Sequence, residues 1–221
     1  MKFYWIKTHY LVKKLLYRFT WDLPTNDRTV YLTFDDGPTP EVTQWVLDQL
    51  QLFDAKATFF CIGENIQKHA EIFKTIINSG HTIGNHTFNH LNGWQTQTAI
   101  YLDNVARCNR EISVLHRESG QARLFRPPYG KLNIAQSRKL RQSGYRIIMW
   151  DVLSADFDVT ITPEKCTENV IQNIRPGSIV IFHDSEKAFE NLKHALPRTL
   201  EFLKQKGYRA AAIRLAPEPD L

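Results

Sequence analysis

Along the chain, short apolar runs rich in β-branched and aromatic residues alternate with longer stretches whose apolar positions recur every three or four residues. The short runs predict strands at 29–34, 57–62, 81–84, 123–125, 145–150, 178–182 and 208–214. The longer stretches predict helices at 40–53, 64–79, 96–117, 134–143, 163–174 and 186–206. Pro40 and Pro163 fall in first turns, where a missing N–H costs nothing. Gly80, Gly144 and Gly207 each follow a helix and precede a strand, as left-handed caps do. Strand and helix in turn along the whole chain predict an α/β fold with a largely parallel sheet. Seven strands suit a closed or nearly closed barrel better than a short open sheet; an open doubly wound sheet is the alternative.

Residues 1–25 break this rhythm. Apolar Tyr4, Trp5, Ile6, Leu11, Val12, Leu15 and Leu16 are interrupted by Lys7, Lys13, Lys14 and Arg18. No run is long enough to span a bilayer, and none resembles an export signal. We read residues 1–25 as a basic amphipathic segment and 26–221 as the catalytic domain. A helix there could pack its apolar face on the domain or lie on a membrane as a peripheral contact.

Composition narrows the picture further. With 43% hydrophobic and 23% charged residues, the chain has the balance of a folded globular protein, which excludes disorder as its dominant state. The net charge of +5 is spread without a recognition motif, so no nucleic-acid partner is expected, although an anionic surface or wall polymer would suit it. Cys61, Cys108 and Cys166 are odd in number and widely spaced, which points to buried thiols and a reducing compartment. A cytoplasmic location is the expectation, with membrane association and export both left open.

In a βα barrel the chemistry gathers at the C-terminal ends of the strands, and the polar residues follow that rule. Asp35-Asp36-Gly37-Pro38 follows the first strand, so two adjacent carboxylates meet a backbone turn. His86 and His90 follow the third, four residues apart on one face of a helical turn, within reach of a single ion. Two imidazoles and a carboxylate form a facial triad with positions left for water and substrate. Zn²⁺ is the expected divalent metal. Arg126-Pro127-Pro128-Tyr129-Gly130 follows the fourth strand, stiffened by its prolines. Asp156-Phe157 follows the fifth, and His183-Asp184 ends the sixth.

Five ordered signatures resemble those of the polysaccharide deacetylase family, carbohydrate esterase family four, with its NodB-homology domain. They are Thr-Phe-Asp-Asp-Gly at 33–37, His-Thr-x-x-His at 86–90, Arg-Pro-Pro-Tyr-Gly at 126–130, Asp-Phe at 156–157 and Ile-x-His at 181–183. The resemblance implies a distorted (β/α) barrel with about seven parallel strands. It also implies roles: Asp35 as catalytic base, Arg126 orienting it, and Asp36, His86 and His90 as metal ligands. The Tyr129 backbone N–H would help hold the oxyanion, and His183 would be the general acid with Asp156 as its partner. Tyr129, Pro128 and Phe157 would contact the sugar. Two positions depart from the family pattern, since Leu153 replaces an Asp and Phe157 a Trp.

The reading is thus a metal-dependent hydrolase that removes acetyl groups from N-acetylated sugars, with an N-acetylglucosamine-containing glycan such as peptidoglycan or a chitin-like oligomer as partner. The alternatives are an O-acetyl esterase of xylan-type glycans and a catalytically silent glycan-binding domain.

Overall fold

The computed structural model describes residues 4–116 and 122–216. Residues 1–3, Arg117 at the end of one expected helix, and 217–221 of the expected domain lie outside the described residues. In chain order the elements are α1 (Tyr10–Leu15), β1 (Thr29–Asp35), α2 (Val42–Leu52), β2 (Ala57–Cys61), α3 (Gly63–Lys68), α4 (Ala70–Asn78), β3 (Thr82–Asn85) and α5 (Thr98–Leu115). There follow β4 (Arg123–Phe125), α6 (Ile134–Gln142), β5 (Tyr145–Ile147), β6 (Val152–Leu153), α7 (Pro163–Ile171), β7 (Ile179–His183), α8 (Phe189–Gln205) and β8 (Arg209–Ala210).

The strands run parallel in the order β5-β4-β3-β2-β1-β7-β6, with β8 paired to the start of β1. The two ends of this order are β5 and β6, yet only residues 148–151 join them in the chain. Four residues reach about 14 Å when extended, so the sheet has to curl until its ends nearly meet. The result is a distorted, incompletely closed (β/α) barrel.

Strand parity decides which residues face its interior. In β1, Val30, Leu32 and Phe34 point outward to the helices, with Ala57, Phe59, Val180 and Phe182 beside them in one core. Phe34 stacks between Phe59 and Phe182, at ring distances of 5.1 and 5.9 Å. Burying such a ring stabilises the fold by about 2–3 kcal/mol. The alternate positions, Tyr31, Thr33 and Asp35, point inward, as do Ile179, Ile181 and His183 of β7. Phe60, Leu124, Ile148, Ile179 and Ile213 fill the middle of the barrel.

Residues 4–22 lie along both open edges of the sheet. Lys7 bridges to Val152 beside β6, and Thr20 bridges to Ile148 beside β5. The helix between them is shorter than an amphipathic membrane helix, only six residues, with none of its own side chains buried. Lys7 and Lys13 instead turn inward to the buried Asp151, each at 2.5 Å, and Lys13 also pairs with Asp22.

Three expected elements are cut differently. The helix expected at 64–79 is two helices, because His69 leaves helical geometry at φ −129° and ψ 48°. The strand expected at 145–150 ends at Ile147, and the unexpected β6 pairs on the far side with β7. The run 145–150 is continuously apolar because it crosses the barrel, not because it stays in one strand. The last strand shrinks from 208–214 to Arg209–Ala210, after which Ile213 packs inside the barrel.

Candidate active site

Because β1 and β7 are neighbours in register, Asp35 and His183 are direct cross-strand partners at the same end of the barrel. Both point inward by parity. The other site residues arrive from loops in unusual backbone conformations. Asp36, Thr87, His90, Tyr129 and Ala155 all have positive φ, between 55° and 83°. For non-glycine residues this costs about 1 kcal/mol or more each, and such strain gathers where side chains must be aimed. Gly37 makes one such turn attainable, since a Cβ there would lie 2.0 Å from Asp184 Oδ2.

Arg126 is wholly buried. Its Nη1 donates to Asp35 Oδ1 and to Thr33 Oγ1, both at 2.7 Å, while Nε and Nη2 donate to the Ile148 and Met149 carbonyls. Phe60 lies against the guanidinium at 4.1 Å. Asp35 is therefore fixed in orientation by a group that itself has little freedom.

Asp36, His86 and His90 offer ligand atoms all within 4.8 Å of one another. His86 Nδ1 lies 2.7 Å from the Arg126 carbonyl, which can only accept, so Nδ1 carries the proton. Burial pushes the His86 pKa down to about 4, against the pull of Asp35 and Asp36, so the ring is neutral. Its Nε2 then presents a lone pair 3.7 Å from Asp36 Oδ1 and 3.8 Å from Asp35 Oδ2. His90 Nε2 is 3.2 Å from the same Asp36 oxygen, and its Nδ1 meets the Tyr129 hydroxyl at 3.1 Å. Asp36 Oδ1 is buried without a hydrogen-bond partner. A buried acceptor without a donor is costly. A cation held among these atoms satisfies all of them, so the donor set fits a divalent metal of the kind that two imidazoles and a carboxylate bind.

Across the cavity, His183 Nδ1 lies 2.7 Å from Asp156 Oδ1, and its backbone N–H donates to Asp156 Oδ2 at 2.8 Å. Burial disfavours the imidazolium, but the Asp156 carboxylate more than offsets it and lifts the His183 pKa to about 9. This is a protonated imidazole near neutral pH, set opposite the acceptor-rich cluster.

These groups open into a cavity of about 440 Å³ whose walls include Tyr129, Trp150, Leu153, Phe157 and Pro127. Pro128, expected as a sugar contact, is buried and does not line it; Pro127 does. A larger depression of about 590 Å³ near Leu52 and Tyr208 is lined by no histidine.

The sequence reading missed three contributors. Tyr4 reaches the cavity from the N-terminal segment, packs edge-on to Phe157 at 5.8 Å and donates to Asp158 at 3.1 Å. Phe157 in turn rests against the His183 ring at 5.1 Å. Asp184 accepts from the Gly37 N–H and the Thr43 hydroxyl, which ties the loop carrying Asp35 and Asp36 to β7. Asn65 donates to the Asp36 carbonyl at 2.7 Å. An acid directly after His183 was a readable signal for Asp184; nothing local marked Tyr4 or Asn65.

Comparison with known proteins bears on the whole arrangement. The profile of the family described as polysaccharide deacetylase matches residues 22–148. A peptidoglycan-N-acetylglucosamine deacetylase of Bacillus cereus is 33% identical over 201 residues, covering 88% of this chain and 90% of that protein. A chitooligosaccharide deacetylase of Azorhizobium caulinodans is 31% identical over 203 residues, covering 88% and 94%. The crystal structure of a peptidoglycan N-acetylglucosamine deacetylase in complex with a naphthalenyl N-oxidanyl-benzamide aligns with a TM-score of 0.83. Its identity is 32%, over 91% of this chain and 93% of that one.

Proposed function

Because the chain belongs to the polysaccharide deacetylase family and folds as its distorted NodB-type barrel, we propose that it is a metal-dependent hydrolase removing acetyl groups from N-acetylglucosamine units of a glycan. The similarity to deacetylases of peptidoglycan and of chitooligosaccharides supports an N-acetylated sugar as substrate. The observation that carries the metal is the convergence of Asp36, His86 and His90 within 4.8 Å, around an Asp36 oxygen that has no well-formed hydrogen bond.

Asp36, His86 and His90 would hold the cation, with Zn²⁺ the ion that best suits this set. When bound, it polarises an acetyl carbonyl and makes a water molecule acidic enough to attack near neutral pH. The chain's own groups do the rest. Asp35, held by Arg126, takes the proton of the attacking water. The Tyr129 backbone N–H donates to the oxyanion as it forms. The departing amine is a poor leaving group unless protonated, and His183, charged through Asp156, gives it that proton. Trp150, Leu153 and Phe157 wall the cavity and keep the sugar in place. No covalent link to the protein is needed.

The test is acetate release from N-acetylglucosamine oligomers, with metal content read by elemental analysis. The native protein should release acetate and carry a divalent metal; His86→Ala should lose both. Full metal content in that variant would remove His86 from the ligand set, and release only from acetyl esters would reassign the substrate.

A further inference from the structure

A second concave surface lies beside the active-site cavity and shares the Gly130 backbone as a wall. It is a groove of about 360 Å³ between the stretch after α1, the Trp94 loop and the start of α6. Around it Leu15, Tyr17, Trp94 and Ile134 are 80%, 71%, 67% and 83% exposed. So many large apolar side chains seldom gather at one exposed place without a partner.

The surrounding charge is all of one sign. Arg18, Arg138 and Arg141 line the groove, and Lys131 Nζ lies 5.3 Å from the Trp94 ring centre. Arg141 Nε is buried without a hydrogen-bond partner. The segments that build this face, residues 4–21, 88–102 and 126–150, contain no Asp or Glu. Of the acids that immediately follow these segments, Asp22, Asp103 and Asp151, the first is paired with Lys13 and the last with Lys7 and Lys13.

The geometry points to an anionic lipid bilayer as the occupant, and we infer that the protein seats this face on one. Leu15 and Ile134 would enter the acyl boundary, Trp94 and Tyr17 would sit at headgroup depth, and the arginines and Lys131 would meet lipid phosphates. A second copy of the chain would bring like charges together with no acid to offset them. A glycan would leave leucine and isoleucine unmatched. The inward turn of Lys7 and Lys13 explains why the apolar side chains of α1 face out. Since Gly130 separates groove from cavity, the cavity would open beside the bilayer surface, toward glycans tethered there. The docking itself does not depend on the deacetylase reading.

Flotation of the full chain tests this, with vesicles of phosphatidylcholine alone and of phosphatidylcholine mixed equally with phosphatidylglycerol. The chain should float with the anionic vesicles only, and less so at high salt. Arg18→Gln with Arg138→Gln should weaken binding about twenty-five-fold, near fivefold per charge. Leu15→Ser with Ile134→Ser should abolish it while leaving the melting temperature and the rate on soluble oligomers unchanged. Absence of flotation with anionic vesicles, or flotation undiminished in both variants, would overturn the inference. So would light scattering that shows a dimer which the Leu15→Ser, Ile134→Ser variant dissolves, because the face would then belong to a second copy.

Discussion

Two carboxylates, Asp36 just after β1 and the more deeply buried Asp151 just before β6, have opposite surroundings. Asp151 is met by donors on every side: Lys7, Lys13 and the Ser178 hydroxyl. Asp36 is met by imidazole nitrogens, and its buried Oδ1 has no well-formed hydrogen bond. The difference separates a clasp from a site. A satisfied buried acid holds structure together, whereas an unsatisfied one held in strained backbone is poised to receive something.

The largest expected effect lies on the Asp36 side. Asp35→Asn keeps an oxygen for Arg126 and leaves the ligand trio intact, so metal content should stay while turnover falls about a thousandfold, the scale of a lost general base. A variant that retained most of its turnover would show that Asp35 is not the base.

Next comes the proposed proton donor. His183 is held up at about 9 by Asp156 in spite of burial, so its acid form is lost on the alkaline side of neutrality. Asp156→Asn removes the main group raising that value. The alkaline limb of the rate profile should then move to lower pH, with activity at neutral pH reduced about tenfold or more. An unmoved limb would separate His183 from the acid step.

Asp151 should behave in the reverse manner. Asp151→Asn should cost about 2 kcal/mol of stability, less than a fully buried pair because both lysines are partly exposed, with little change in turnover of the folded protein. Burial pushes the Asp151 pKa up, but Lys13, Lys7 and Ser178 outweigh it and hold it below the usual carboxylate range. Its contribution is therefore present above the unfolded value and lost as pH falls through the folded one. Denaturant melts of native and variant chains should converge on acidification; a gap constant with pH would mean the lysines contribute nothing through charge.

The smallest effect is expected at Tyr4. Tyr4→Ala removes the edge contact under Phe157 and should raise KM a few-fold with kcat nearly unchanged, as measured on oligomers. A fall in kcat alone would place Tyr4 in the positioning of His183 instead.

How much of this was legible beforehand follows from how local each feature is. Asp35, Asp36, His86, Arg126 and His183 were legible as candidates because each sits where an apolar run stops, and the barrel rule sends such residues to one rim; His90 was legible from its four-residue spacing to His86. Helix and strand identity was readable from periodicity for the same reason. The crossing at 148–151 was not, because an apolar run through a barrel interior looks like an apolar run within a strand. The break at His69 left no mark in composition. Tyr4 and the Lys7–Asp151 pair depend on contacts between opposite ends of the chain, which no window of neighbouring residues contains. The inward turn of the lysines toward Asp151 depends on the same distant contact.

The seam where residues 6–8 lie beside 151–153 has a consequence for how the molecule is made. A chain threaded out of a ribosome releases residues 6–8 long before 151–153, and so supplies the matching edge only after much of the barrel has been made. Contacts so distant along the chain are slow to form, so the barrel should assemble as an open trough and zip shut last. Until that moment the edges of β5 and β6 stay bare, and a bulky tag fused ahead of residue 4 would burden the zipping step more than the finished fold.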